Sequence, residues 1–97
     1  MKANIPKVKV KFFGSIREVF QEKEREIELR NVPNIRDLLA LLCDSYRRRQ
    51  RIFDQSRQIR SGVIILKNGR NIYFLDGIQT GLKEGDIIAI FPPGAGG

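Results

Sequence analysis

The feature that most constrains this chain is an apolar run that stops at two prolines. Residues 87–91 include no polar side chain, which is typical of a strand buried in a sheet. The prolines at 92 and 93 cannot continue such a strand, because proline has no backbone N–H to donate. The residues after them have no side chain large enough to bury. We therefore predict a folded domain over residues 1–91 and a flexible tail over residues 92–97.

Two segments near the start have the alternating pattern of strands with one buried face. In residues 7–12 and again in residues 26–30, apolar side chains alternate with charged ones. The intervening segment has Ser15 three residues before Glu18, a capping-box spacing that favours a short helical turn. These patterns predict a hairpin with a long, partly helical loop.

A helix is predicted to begin after Asn34, which is a good N-cap residue. Asp37 falls in its first turn, where the helix dipole favours a negative charge. The arginines that follow extend the helix to residue 51, so we predict one long helix. Its apolar face consists of residues spaced three and four apart: Ile35, Leu38, Leu39, Leu42 and Tyr46.

The second half of the chain alternates between short strands and turns. Residues 52–61 are polar and predict a loop, and residues 63–66 form an apolar strand. Asn68-Gly69 favours a type I′ hairpin turn, since both residues tolerate positive φ. A return strand is predicted over residues 71–74. Turns are expected at Asp76-Gly77, at Thr80-Gly81 with one helical turn before it, and at residues 83–86.

The predicted order is strand, strand, helix, strand, strand, strand. This order fits a mixed sheet with the helix packed across one face. One helix covers one side of a small sheet, yet the last strand is apolar at every position. An apolar patch on the open face is therefore a candidate protein interface. The alternative is that residues 52–61 or 75–82 cover it.

Composition excludes several classes of chemistry. The chain has no histidine and one cysteine, Cys43, so a conventional hydrolase triad, an internal disulfide and a zinc site are not expected, and no metal residue is assigned. A single cysteine fits a reducing compartment, and Cys43 is expected to be a packed structural residue. The chain shows no signal peptide and no apolar run of about 20 residues, so we expect a cytoplasmic protein that binds no membrane.

The net charge of +7 is concentrated in one segment, residues 47–60. A solvated helix end and loop, a docking surface for an acidic partner protein, and a nucleic-acid surface all fit this pattern. Nucleic acid is the least favoured, because no aromatic stacking motif accompanies the charge. The positive residues are Arg47, Arg48, Arg49, Arg51, Arg57 and Arg60, opposed by Asp54.

Five segments together are similar to the ubiquitin-like β-grasp sulfur carriers, in particular to the small subunit of molybdopterin synthase. A Gly-Gly end alone is a weak signal, whereas Gly-Asp, an apolar strand, Phe-Pro-Pro and Gly-Gly at this spacing are quite specific. The resemblance spans nearly the whole chain. The segments are residues 12–18, 37–39, 66–70 and 83–93, and Gly96-Gly97.

The resemblance implies an α+β fold of the ubiquitin-like β-grasp type. We expect a mixed sheet of about five strands, one main helix packed across one face, and a flexible C-terminal Gly-Gly tail. It also implies a sulfur carrier for molybdenum cofactor biosynthesis. The chain would be the non-catalytic small subunit of a sulfurtransferase, molybdopterin synthase, with the catalytic side chains in its partner.

The chemistry implied by the resemblance takes place at Gly97. A ubiquitin-activating-type adenylyltransferase would use ATP to adenylate its carboxylate. Sulfur from a sulfur donor enzyme would then displace AMP and leave a thiocarboxylate. The large subunit of molybdopterin synthase would accept the tail and pass the sulfur to a pterin precursor. The chain itself would bind no cofactor.

The remaining tail residues would fit that tail into its partners. Gly96 gives clearance, and the prolines hold the tail extended and away from the domain. Gly94 departs from the family pattern, which more often has a branched aliphatic residue there. The residues implied to bind partners are Phe91, Pro92, Pro93, Gly94, Ala95 and Gly96.

Two other functions stay open on the sequence alone. The same tail would serve a ubiquitin-like protein modifier, or a sulfur carrier for tRNA thiolation or thiamine synthesis. A basic RNA-binding module whose Gly-Gly end is incidental is the third hypothesis, and it is the least favoured. The same residues fit a carrier for a molybdenum or a tungsten cofactor.

Overall fold

A computed structural model describes residues 5–94 and shows a five-stranded mixed sheet. The strands lie in the order β2-β1-β5-β3-β4, so the last strand of the chain is at the centre. This agrees with the predicted α+β architecture. The elements are β1 (Lys7–Phe12), α1 (Gly14–Phe20), β2 (Glu24–Glu28), α2 (Ile35–Leu42), α3 (Tyr46–Ile52), β3 (Ile64–Lys67), β4 (Arg70–Asn71) and β5 (Ile87–Phe91), with 3₁₀ turns at Ile72–Phe74 and Gly77–Gln79.

The central strand joins the two halves of the sheet. β5 runs parallel to β1 and antiparallel to β3, and the predicted β1–β2 hairpin is antiparallel. Alternation along β1 buries Val8, Val10 and Phe12 on the same side of the sheet as Ile88 and Ile90 of β5. Among residues 5–94 the helices pack on this side of the sheet, so the core lies between the helices and one face of the sheet.

The apolar face predicted for the helix is confirmed over its first two turns. Ile35, Leu38, Leu39 and Leu42 are all fully buried. Asn34 caps α2 as expected, because its Oδ1 accepts a hydrogen bond from the backbone N–H of Asp37 at 2.9 Å.

The prediction of one long helix to residue 51 is wrong, because the chain forms two helices. α2 ends at Leu42, and α3 begins at Tyr46 after Ser45, whose Oγ accepts the backbone N–H of Arg48 at 3.2 Å. A serine side chain can accept a backbone N–H group that would otherwise donate to a helical carbonyl. Here that hydrogen bond caps the start of a new helix. Tyr46, predicted on the buried face, is 70% exposed.

Two smaller predictions also fail. The Ser15–Glu18 capping box is absent: α1 begins at Gly14, and its N-cap residue Phe13 makes no side-chain capping bond. The return strand is short, because the side chain of Asn71 accepts the backbone N–H of Tyr73 at 2.9 Å and the backbone turns into a 3₁₀ helix. The Asn68-Gly69 turn is confirmed, with φ of 50° and 84°.

Candidate functional site

The tail leaves the domain from the end of β5. Phe91 is the last residue of that strand, and Pro92, Pro93 and Gly94 follow it within the described part of the chain. Ala95, Gly96 and Gly97 lie outside the described residues. The structure therefore defines the base of the predicted tail, whereas the role of its last three residues stays a prediction.

Both prolines pack against glycines of the folded domain. Pro92 is buried, and a β-carbon built on Gly14 would lie 2.8 Å from its Cγ. Pro93 is exposed but lies against Gly62, where a β-carbon would come within 3.0 Å of Pro93 Cβ. Two segments that flank β5 therefore fix the first residues after the strand. We expected Pro92 and Pro93 to hold the tail extended and away from the domain, and this expectation did not include their packing against it.

Three side chains, those of Phe91, Phe13 and Arg17, stack on one another at the base of the tail. The rings of Phe13 and Phe91 are parallel within 9°, with centroids 4.3 Å apart. The guanidinium of Arg17 lies 5.5 Å from the Phe13 centroid, and its Nε donates a hydrogen bond to the carbonyl of Phe12 at 2.9 Å. Phe13 also donates its backbone N–H to the carbonyl of Ile90 at 3.2 Å. These contacts hold the end of β5 against the start of α1.

The backbone at Gly94 explains the glycine at this position. Its φ is +78°, in the left-handed region where a branched residue is strained. Apart from its chain neighbours, no atom of residues 5–94 lies within 4 Å of a β-carbon built there. The glycine permits the turn at residues 93–94, which a branched aliphatic residue would disfavour.

The start of β5 is held by a buried carboxylate. Asp86 is 3% exposed, and its oxygens accept hydrogen bonds from Nδ2 of Asn68 and from the backbone N–H of Lys83, both at 2.9 Å. Nζ of Lys67 lies 3.7 Å from the same carboxylate. Asn68 also accepts the backbone N–H of Ile87 at 2.9 Å. The Asn-Gly turn and the turn before β5 are thereby locked together, and both ends of the central strand are fixed.

The open face of the sheet presents an apolar strip beside the tail base. Strand pairing places Ile64 opposite Phe91 and Leu66 opposite Ala89. Ile64 is 38% exposed and Ile87 is 42% exposed, so side chains of this strip contact solvent. We call this set the apolar strip; it comprises Ile64, Leu66, Ile87, Ala89 and Phe91.

Residues 52–61 and 75–82, the two segments that were alternatives for covering this face, pack on the helix side. Phe53 and Ile59, from the 52–61 loop, lie against the buried core, and Gly81 forms a bridge with Asn34 at the start of α2. Beyond the strip, lysines of β1 lie opposite glutamates of β2 in the strand register, as Lys9 lies opposite Glu26, and Nζ of Lys9 is 3.4 Å from Oε2 of Glu24. The open face is therefore an apolar strip bordered by charged rows.

Neither a metal-ligating cluster nor a reactive cysteine is found among the described residues. Within residues 5–94 there is no cluster of three metal-ligating side chains and no helix long and apolar enough to cross a membrane. Burial raises the pKa of Cys43 to about 11, so its thiol stays protonated and unreactive at neutral pH, as expected for a structural cysteine. The tail base suits a segment that is held in position, and the apolar strip suits the binding of a partner protein.

The basic segment is not part of this site. Arg48 pairs with Asp44 at 3.0 Å and lies over the ring of Phe20, so it supports the packing of α3 on α1. The other arginines of the segment are exposed and line two depressions beside α3, neither of which includes a residue of the apolar strip.

Three comparisons place these features among known proteins. The sequence profile described as the ThiS family matches residues 10–97. Small archaeal modifier protein 3 from Haloferax volcanii is 32% identical over 93% of this chain and 98% of its own length. The solution structure of small archaeal modifier protein 1 from Methanosarcina acetivorans is 32% identical, with a TM-score of 0.79 over 98% of this chain and 100% of that one. A Pyrococcus furiosus protein provisionally described as molybdopterin converting factor, subunit 1, is 30% identical, with a TM-score of 0.67 over 91% of this chain and 98% of that one.

Proposed function

Because this chain belongs to the ThiS family, we propose that it is a ubiquitin-like sulfur carrier with Gly97 as its reacting residue. Its carboxylate is adenylated and then converted to a thiocarboxylate, which donates sulfur in the synthesis of molybdopterin. The observation that best supports this role is the tail base. Pro92 and Pro93 are seated on Gly14 and Gly62, next to an exposed apolar strip, and the residues that follow are small.

The chemistry needs activation because a carboxylate is a poor electrophile. The Gly97 carboxylate attacks the α-phosphorus of ATP, and pyrophosphate leaves. Hydrosulfide attacks the acyl carbon, the bond to AMP breaks, and a thiocarboxylate is formed directly. A persulfide attacks in the same way and forms an acyl disulfide, whose S–S bond is then cleaved by a thiol, so that the thiocarboxylate is released and the carrier sulfur leaves in a disulfide with that thiol. The side chains of this protein take no part in bond breaking. They present the carboxylate to an ATP-dependent adenylyltransferase.

Reach and binding energy are consistent with insertion of the tail into a partner. Residues 94–97 span at most about 13–14 Å when extended. Ordering four residues costs about 4–8 kcal/mol. Burying roughly 160–320 Å² of apolar surface offsets that cost. Five apolar side chains of the strip lie beside the tail base, so the body of the domain supplies the needed contact.

We propose the large subunit of molybdopterin synthase as the partner that receives the sulfur, with a pterin precursor as acceptor. The likeness to the Pyrococcus furiosus protein provisionally described as molybdopterin converting factor, subunit 1, supports this assignment. A sulfur donor enzyme completes the set of partners, and we place the reactions in the cytoplasm, where ATP is supplied. The chain acts as the non-catalytic subunit of the assembled sulfurtransferase.

A second candidate function is attachment of the chain to other proteins. It is favoured by the 32% identity to Haloferax volcanii small archaeal modifier protein 3. In that case a lysine amine attacks the Gly97 adenylate or an enzyme thioester, AMP or the thiol leaves, and an isopeptide bond forms. The same tail geometry serves both fates, so the fate of the activated carboxylate must be measured.

Reconstitution tests the primary proposal. The chain is combined with the adenylyltransferase, ATP, a sulfide source, the large subunit and the pterin precursor, and molybdopterin is measured. We expect product with the wild-type chain and none with a chain lacking Gly97, while the circular dichroism spectra of the two chains agree. Molybdopterin formation by the shortened chain would overturn the proposal. If the reconstituted mixture gives no product, and proteins isolated from cells carry the chain through an isopeptide bond between Gly97 and a lysine, the modifier function is favoured.

A further inference from the structure

The basic segment forms a cleft on the helix side of the molecule that the tail chemistry does not use. It lies between α2, α3 and the loop that follows α3, and its volume is about 550 Å³. Helices α2 and α3 pack on the face of the sheet opposite the apolar strip. The residues around this helix-side cleft are Arg36, Ala40, Cys43, Arg49, Phe53 and Arg57, together with Asp54.

The rim of the cleft carries positive charge with little compensation. Arg49 and Arg57 form no ion pair with any carboxylate among residues 5–94, and Arg36 is 3.9 Å from Asp37 and well exposed. Asp54 forms no ion pair with Arg49 or Arg57 in the described part of the chain, and its Oδ1 instead accepts the backbone N–H groups of Ser56 and Gln58, at 2.7 and 3.1 Å. A ligand carboxylate would therefore meet arginine donors that remain available.

A second depression extends the positive surface across α3. Arg47, Arg51 and Arg60 surround it with Gln50, and its volume is about 330 Å³. Arg60 is held in place because its Nε donates a hydrogen bond to the carbonyl of Gln50. Positive charge thus continues from one side of α3 to the other, as a surface for an extended ligand requires.

Part of the lining of the cleft is apolar. This apolar lining, which we call the floor, consists of Ala40, Phe53 and the buried Cys43. Phe53 is the one aromatic residue that lines the cleft, and it is half-buried, so it offers a wall to an inserted side chain. An exposed ring for base stacking is found instead at Tyr46, which does not line the cleft. An apolar floor inside a ring of arginines fits a peptide better than a nucleic-acid backbone.

We propose that the helix-side cleft binds an acidic segment of a partner protein, with one apolar side chain against Phe53 and Ala40. Aspartate or glutamate residues flanking that side chain pair with Arg36, Arg49 and Arg57. Arginine suits this role because its guanidinium binds a carboxylate through two parallel hydrogen bonds. Since the cleft and the apolar strip lie on opposite faces, the acidic segment and an enzyme on the strip bind at the same time.

Selection from a random dodecapeptide library displayed on phage tests the proposal without a known partner. The wild-type chain is the target, and the double variant R49E/R57E is the counter-target. We expect selected peptides to share an apolar residue flanked by acidic residues. Replacing that apolar residue with serine in a synthetic peptide is expected to weaken binding about tenfold or more, because the floor contact is lost.

Controls separate the cleft from general attraction to positive charge. R30E removes an exposed arginine outside the basic segment and is expected to change peptide affinity less than about threefold, since distant surface charges are screened. Amide shifts in NMR spectra are expected at Ala40, Cys43 and Phe53, and not at Ile64 or Ile87. The proposal is overturned if no acidic-apolar consensus is enriched, if the shifts fall on the apolar strip, or if a single-stranded RNA of equal charge binds more tightly than the peptide.

Discussion

Pro92 lies directly against Gly14, so closely that a β-carbon on the glycine would stand 2.8 Å from Cγ of the proline. The two residues are far apart in the chain, yet this contact fixes where the tail leaves the sheet. Pro93 and Gly62 form a similar pair at 3.0 Å. A tail that must enter a partner's active site benefits from such a fixed base, because fewer residues then have to be ordered on binding.

Gly14→Ala is expected to destabilise the domain more than Gly77→Ala. Both glycines begin a helical turn with nearly equal φ, 55° and 58°, but only Gly14 faces another residue within 4 Å. Each substitution strains the backbone, and Gly14→Ala adds a clash with Pro92 of about 1–3 kcal/mol. Urea unfolding of the two variants measures the difference. Equal losses of stability would show that the Pro92 contact contributes nothing.

Ile87→Glu is expected to abolish binding to the adenylyltransferase and to the large subunit while the domain stays folded. Ile87 is 42% exposed in the apolar strip, so its replacement changes stability by only about 1 kcal/mol or less. A buried interfacial charge costs far more when partners associate. Isothermal titration calorimetry checks this, with Leu41→Glu as the control, since Leu41 is 46% exposed on α2. Unchanged affinity of Ile87→Glu would remove the strip from the interface.

Asp86→Ala is expected to destabilise the domain by about 1–3 kcal/mol, because a buried carboxylate that accepts two hydrogen bonds is lost. The Nδ2 of Asn68 and the backbone N–H of Lys83 both lose their partner. Asp76→Ala is the matched control, since Asp76 is exposed and its side chain makes no capping bond. Thermal unfolding followed by circular dichroism compares them. A cost for Asp86→Ala no larger than that of Asp76→Ala would contradict the role assigned to the buried carboxylate.

Because the pKa of Cys43 is raised in the folded chain, we expect the domain to lose stability in alkali. Its pKa is about 11 in the folded chain against 9.0 for an unperturbed thiol, and the cause is burial. As pH rises, the thiol of the unfolded state therefore loses its proton before the thiol of the folded state does. The stability that the buried, protonated thiol contributes is complete below pH 9 and is lost as pH rises through about 11. The free energy of unfolding of the wild type is expected to fall relative to Cys43→Ala across this window. Parallel pH profiles would contradict the raised pKa.

Local patterns predicted much of the fold. Alternation in β1, the Asn34 cap and the Asn68-Gly69 turn depend on neighbouring residues, and all three are confirmed. The break between α2 and α3 was missed, because the capping bond of Ser45 competes with a helical pattern that continues through Tyr46. Packing of Arg48 over Phe20, at 5.1 Å, also favours two helices, and no local pattern reveals that contact.

The residues of the tail base were predicted, but their packing was not, because it depends on contacts between distant parts of the chain. These residues were identified from composition, but the seating of Pro92 on Gly14 and of Pro93 on Gly62 joins distant parts of the chain. Gly94 stood out as a departure from the family, and its φ of +78° now accounts for it. The role of Gly97 depends on chemistry in partner enzymes, so it stays a proposal.

Intact-mass spectrometry after incubation with the adenylyltransferase, ATP and a sulfide source tests the central claim most directly. The account predicts a mass increase equal to the replacement of one oxygen atom by sulfur, and fragmentation that places the sulfur on Gly97. The increase should be absent without ATP. An unchanged mass in the complete mixture, with the adenylyltransferase shown to be active on another carrier, would contradict the account.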